Sequence, residues 1–171
     1  ETEVMLPAGL DIARVDSLPD DLAEELIPAS VEEGFSPMRW LREQWDSGTN
    51  RFSEPGEALY IARLGGRLVG VCGLNRDPFA RDSATGRLRR LYVLPEMRGR
   101  GIGRVLVLKV LEDARGHFDR VDLRTLDDQS AEFFEALGFA RLDGVEGATH
   151  RISTAWSAPE EPLSDTRLVQ R

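Results

Sequence analysis

The segment Arg98-Gly-Arg-Gly-Ile-Gly-Arg104 concentrates the residue types that hold an anion. Glycines at 99, 101 and 103 clear side chains away, so successive backbone N–H groups can converge on one ligand. An apolar strand-like run precedes the segment and a helical pattern follows, so a helix N-terminus adds partial positive charge to the same spot. Strand, glycine-rich turn and helix start together make a phosphate cradle. A nucleotide P-loop needs Gly-Lys-Ser/Thr, whereas Gly103 is followed by Arg104 and Val105. A dinucleotide fingerprint needs G-x-G-x-x-G, and counted from Gly99 the third glycine arrives one position early, at Gly103. The pattern that remains is Arg-x-x-Gly-x-Gly, at Arg98, Gly101 and Gly103. A glycine-rich turn that binds nothing is the plain alternative, and the flanking arginines weigh against it.

Charge supports a local anion. The chain has 171 residues and a net charge of −8, which argues against a general nucleic-acid surface. Between Arg87 and Arg104 stand six arginines (87, 89, 90, 98, 100 and 104) against one acid, Glu96, so this window carries +5 and the remainder −13. A positive spot on an acidic protein suggests one anionic ligand held at one place. The bland reading is a composition bias, since Lys109 is the only lysine. The acidic remainder favours a cationic second ligand.

The elements that would position this loop can be read from periodicity and turn residues. Residues 10–15 form a first strand. Asp21, with Glu24 three residues on, opens a helix that turns Leu22, Leu26 and Ile27 inward. Ser36-Pro37 opens a second helix, lined on one side by Trp40, Leu41 and Trp45. Residues 58–64 and 68–74 read as strands joined by a tight Gly65-Gly66 turn. A strand over 88–94 stops at Pro95, and Val107, Val110, Leu111 and Ala114 mark the helix that follows, closed by Gly116. Val121, Leu123 and Thr125 alternate as a strand; Asp127 or Asp128 then caps a short helix ending at Gly138. Two closing strands fall at 139–142 and 148–153. Residues 1–153 therefore make one α/β (α+β) domain, and 154–171, rich in Pro, Ser and Glu, read as a loosely held tail. No apolar run approaches the roughly 20 residues of a membrane span. Residues 1–8 lack the basic start and apolar stretch of a secretory signal. A lone cysteine, Cys72, and two histidines, His117 and His150, offer neither a disulfide framework nor a metal site. The expectation is a cytoplasmic protein without metal.

Leu88-Arg-Arg-Leu-Tyr-Val-Leu-Pro95 followed by Arg98-Gly-Arg-Gly-Ile-Gly resembles the acyl-CoA-binding segment of GNAT superfamily N-acetyltransferases. Ala131-Glu-Phe-Phe-Glu-Ala-Leu-Gly-Phe139 resembles that family's short helix ending in Leu-Gly-Phe, and the hairpin over 58–74 resembles its second and third strands. The likeness covers residues 10–153. It implies a mixed, largely antiparallel central sheet of about seven strands, flanked by about four helices on both faces. It further implies acetyl-CoA as acyl donor, with the pantetheine arm along the backbone of Leu91, Tyr92 and Val93 and one N–H polarising the thioester carbonyl. Amides of Arg98, Gly99, Arg100, Gly101, Ile102, Gly103 and Arg104 would take the pyrophosphate. The acceptor would be a primary amine, on a small molecule or a protein, with neither nucleic acid nor membrane as partner. Monomer and homodimer both stay open.

Residues for proton transfer depart from the family's pattern. The family's usual acid, a Tyr four residues before the Gly of Leu-Gly-Phe, falls on Phe134, which cannot donate. The acid that some members carry on the fifth strand falls on Asp122, a candidate base whose alternative is a solvent-facing carboxylate. Asp127 stands where relatives often place an Asn against the cofactor; the plain reading is a helix cap. His150 could act through water, and His117 reads as a surface residue. An acyl-CoA-binding domain without turnover is the rival that Phe134 keeps open.

Overall fold

Gly65 and Gly66, at φ of 57° and 86°, make the tight turn that pairs strand β2 (Ala58–Leu64) with β3 (Arg67–Arg76). Two successive positive φ angles match the twist of the flanking strands, which few residues other than glycine tolerate. The computed structural model describes residues 6–155. Within them the order is β1 (Leu10–Arg14), α1 (Leu22–Glu32), α2 (Pro37–Ser47), β2, β3, β4 (Thr85–Val93), α3 (Ile102–Ala114), β5 (Arg120–Leu123), α4 (Asp128–Leu137), β6 (Ala140–Arg141) and β7 (His150–Ser153). A short 3₁₀ turn, Pro95–Met97, bridges β4 to the glycine loop.

The strands form one sheet in the order β1-β2-β3-β4-β5-β7-β6. Every pairing is antiparallel except that of β4 with β5. Leu68 through Asn75 are all buried, as a central strand covered on both faces requires. Helix α3 crosses β2, β3 and β4, while α1 lies on β3 and α2 on β4. The expected mixed α/β sheet with four helices is present, and its core runs through Leu59, Leu74, Leu88, Leu106, Val110 and Leu137.

Local differences from expectation have physical causes. Asp21 occupies the N-cap of α1, but its carboxylate accepts from Arg63 at 2.6 and 3.1 Å and leaves the helix uncapped by a side chain. Strand β4 begins at Thr85, not at residue 88, because Thr85, Gly86 and Arg87 pair in parallel with β5. Sheet pairing there overrides the poor strand preference of glycine. Trp40 does not join Leu41 in the core: it is 47% exposed. The expected tail over 154–171 lies, apart from its first two residues, outside the described residues. Among the described residues no helix is long and apolar enough to cross a membrane, and no cluster of three or more metal-ligating side chains occurs.

Candidate active site

The centre of the molecule is where β4 leaves β5. Their parallel pairing ends at Arg87 opposite Asp122, and β5 itself ends at Leu123. Beyond Arg87, β4 keeps β3 on one side and has no strand on the other, so its backbone edge opens into a wedge. A bulge sharpens the change. Val71 pairs with Tyr92 and Gly73 with Arg89, so Arg90 and Leu91 together oppose Cys72. Arg90 takes φ of +62°, rare for a residue with a side chain. Bulges of this kind re-aim side chains and recur next to active sites.

The open edge runs into the glycine loop. Gly99 and Gly101 have φ of +80° and +83°, a conformation that costs other residues roughly 1–2 kcal/mol. Gly101 is the N-cap of α3 and brings no side chain to the first turn, whose N–H groups have no intrahelical acceptors. Gly99 and Arg100 are exposed, while Gly101, Ile102 and Gly103 are buried. Arg104 carries a buried Nε with no hydrogen-bond partner among the described residues. An uncapped helix start, two left-handed glycines and an orphaned guanidinium nitrogen fit a phosphate-bearing ligand.

Arg98 has a different task. Its guanidinium donates to both oxygens of Glu33, at 2.9 and 2.8 Å, and its Nε to the Val93 carbonyl at 3.0 Å. It also lies 5.5 Å from the centre of the Tyr92 ring, whose hydroxyl donates to Glu33 at 2.6 Å. Burial, and then Glu33, push the Tyr92 pKa well above its ordinary value. The Arg98 side chain thus buckles the end of α1 to the loop, leaving the exposed Arg100 and the half-buried Arg104 as the loop's other arginines.

On the α2 side of β4 lie two cavities. One, of about 240 Å³, is bounded by Trp40, Gln44, Leu88 and four arginines, 87, 89, 90 and 124. The other, of about 260 Å³, shares Gln44 and Arg89 and adds Asn50, Glu54, Glu57 and Asn75. Glu57 accepts from Asn75 Nδ2 and Arg76 N, both at 2.9 Å, and from Glu54 N at 3.1 Å. The six arginines of the basic window therefore do not converge on one place. Three face the α2 side, one is buckled inside and two flank the glycine loop.

The candidate catalytic residues fall into the sheet's interior. Asp122 is 2% exposed, so the solvent-facing alternative does not hold. Its two oxygens accept from Arg151 Nε and Nη2 at 2.7 and 2.9 Å. Beside it Arg87 lies 3.8 Å from Asp77 and donates to the Gly147 carbonyl at 2.6 Å. Phe134 is 1% exposed and packs edge-on against Phe133 and Phe139. Asp127 is the N-cap of α4, accepting from Gln129 N at 2.9 Å and Ser130 Oγ at 3.1 Å. The buried His150 shares a hydrogen bond of 2.9 Å between its Nδ1 and Thr149 Oγ1, with Nε2 3.6 Å from Glu135. Burial lowers its pKa more than Glu135 raises it.

Three features here escaped the sequence reading. Thr125 Oγ1, just past β5, is buried with no hydrogen-bond partner among the described residues. Trp40 and Gln44 project from α2 to meet Arg90, the latter accepting from it at 3.1 Å. The paired arginines 89 and 90 were the available signal, because two adjacent charges break the period-two alternation of a strand.

Known proteins share this arrangement. Residues 20–139 match the Acetyltransferase (GNAT) family. The N-alpha-acetyltransferase RimI of Mycobacterium tuberculosis is 36% identical over 98 residues, covering 55% of this chain and 58% of that protein. The chain spans about three-fifths of the length of the curated relatives it matches first. A crystal structure from Exiguobacterium sp. 255-15, assigned as an acetyltransferase, superposes with a TM-score of 0.74 at 31% identity, covering 85% of this chain and 94% of that one. The GNAT family N-acetyltransferase YhbS of Escherichia coli, solved in complex with CoA, shares the fold at a TM-score of 0.61 and 18% identity, covering 90% of this chain and 85% of that one. With a family match over most of its length and an architecture shared with these structures, the chain belongs to the GNAT acetyltransferase family.

Proposed function

We propose that this protein transfers an acetyl group from acetyl-CoA to a primary amine. The observation that carries the reading is the open edge of β4 after Arg87, which leads directly into the uncapped glycine loop of α3. Along that edge the Leu91 and Tyr92 backbone would hold the pantetheine arm, while loop amides, Arg100 and Arg104 would hold the phosphates. Acetyl-CoA supplies an activated acyl group. In the transfer the amine nitrogen forms a bond to the acyl carbon, the C–S bond breaks, and the nitrogen's surplus proton leaves with CoA as its thiol or passes to solvent. The protein contributes position first: an amine held beside a bound thioester gains from proximity alone. Neither tyrosine is placed to donate, since Tyr60 is bonded to Asp113 and Tyr92 to Glu33.

A second reading, acyl-CoA binding without turnover, rests on Phe134 standing where relatives place a hydroxyl. One experiment separates the two. Saturating CoA, at a hundred times its dissociation constant, should stabilise the fold by about 2.7 kcal/mol. Thiol release from acetyl-CoA with a pooled amine library should then exceed the amine-free rate. An unchanged melting temperature at millimolar CoA overturns the cofactor assignment; stabilisation without amine-dependent release leaves the binding domain.

A further inference from the structure

Arg89, Arg90 and Arg124 all line the cavity under Trp40 and Gln44, with the Arg90 guanidinium against both of those side chains. The other charges of this face cancel locally: Asp122 is bonded to Arg151, and Arg87 has Asp77 and the Gly147 carbonyl. Among the described residues none of the three has a carboxylate in direct contact, and Arg89 feels Asp77 and Glu57 only at longer range. Among the described residues Arg89 and Arg124 make no hydrogen bond or ion pair, and Arg90 has only the neutral Gln44 amide and the Trp40 face, 5.8 Å from its ring centre. Arg90 is 6% exposed, and its Nε is buried without a partner. A guanidinium taken out of water and left unpaired is costly. The bulge makes the arrangement. Its positive φ at Arg90 sets two consecutive arginines along the same cavity, which a regular strand would send to opposite faces.

We infer that the acceptor is a small amine bearing a carboxylate, bound through that carboxylate by Arg89, Arg90 and Arg124. This rests on the acetyl-transfer reading above and names its substrate class. Planar guanidiniums match a carboxylate in bidentate geometry, and a cavity of about 240 Å³ suits a group of few heavy atoms. The site lies mid-strand, on the stretch of β4 that borders the wedge. The glycine loop is a separate anion site beyond the end of the same strand. A carboxylate held at Arg89 and Arg90 therefore keeps a neighbouring amine close to the open edge. The carboxylate itself is bound and not transformed. Crowding adds to the case: burial, then Arg89 and Arg87, push the Arg90 pKa down to about 10, and burial lowers that of Arg89. The acidic remainder of the chain favours a cationic acceptor, but charges beyond about 8–10 Å are largely screened at physiological salt. The near field decides.

The test compares matched acceptors by thiol release: L-amino acids, their α-carboxamides, and spermidine. The carboxylates should exceed their carboxamides about tenfold or more in kcat/KM, because a site built for a charged partner rejects its neutral analogue. Arg89→Gln and, independently, Arg124→Gln should shrink that ratio toward unity, mainly through KM, with the CoA dissociation constant unchanged. Arg124 is exposed, so its variant serves even where Arg89→Gln folds poorly. Carboxamides or spermidine outrunning the carboxylates in the wild type overturns the inference while leaving acetyl transfer standing. If CoA binds and no amine is acetylated, the transfer reading fails, and binding decides the inference. A melting shift of CoA-saturated protein by the L-amino acids, lost in Arg89→Gln, then supports the carboxylate site; no shift in the wild type overturns it.

Discussion

Phe134 and Asp122 show how far a residue's type determines its role. Phe134 sits at 1% exposure with two rings edge-on, an arrangement that rewards a phenyl group for its packing. Phe134→Tyr should lower stability by about 1–3 kcal/mol where the new hydroxyl finds no partner, and leave turnover no higher. A melting curve and steady-state kinetics check both; a rise in kcat at constant KM would instead reveal a transition-state contribution from a donor at 134. Asp122 is the buried partner of a half-exposed Arg151, bonded through both oxygens. Asp122→Asn should cost about 1–3 kcal/mol, less than a fully buried pair because Arg151 reaches solvent. The pH–rate profile should keep its shape. A steep loss of kcat with an altered profile, at unchanged stability, would make Asp122 a base. Strand alternation sets Asp122 opposite to Val121 and Leu123, but alternation does not say whether that face is wet, and all three residues are buried. The facing charges, Arg87, Arg151 and Asp77, come from three other segments, and no local pattern joins them.

Elements were far more legible than the site they build. Every helix and strand expected from periodicity is present, because each has a local signature: the glycine pair between β2 and β3, Pro37 at the start of α2, Asp127 and Gly138 at the two ends of α4. The features that were not legible depend on pairing between segments, as the early start of β4 and the bulge at Arg90 do. The glycine loop belongs to the legible part, and it can be tested as an element. Gly101 holds φ of +83° at the N-cap of α3, where the glycine loop enters the helix. Gly101→Val forces a β-branched residue into that conformation, costing about 1–2 kcal/mol of stability, and sets a side chain among the converging amides. The variant should fold and should lose CoA binding by titration calorimetry. Retained binding would move the phosphates away from the loop.

For the whole molecule, acidity is the variable that reads many sites at once. His150 is buried, and desolvation holds its pKa below the ordinary 6.5 despite the pull of Glu135. In the unfolded chain it titrates normally. As pH falls below that value the unfolded state therefore binds a proton that the folded state resists, and stability declines. The contribution is fully present above 6.5 and is lost as pH drops toward the folded pKa. Asp21, held low by Arg63, and Glu135, held low by Arg141, act with the same sign at more acidic pH, around and below the ordinary carboxylate range. Asp77 opposes them: burial raises its pKa, so its protonation favours the folded state on acidification. The histidine window lies above those of Asp21 and Glu135, Asp77 works with the opposite sign, and the histidine part can be isolated by substitution. Urea unfolding between pH 7.5 and 5.5 should show stability falling with pH, by no more than about 1.4 kcal/mol per pH unit for one proton. His150→Gln, which keeps a neutral hydrogen-bonding side chain beside Thr149, should flatten that slope while leaving the steeper loss near pH 4 in place. A slope unchanged in His150→Gln would mean that the proton taken up on unfolding belongs to another group and that His150 titrates alike in the folded and unfolded chain, whereas a steeper slope would mean that His150 is charged in the fold, paired with Glu135.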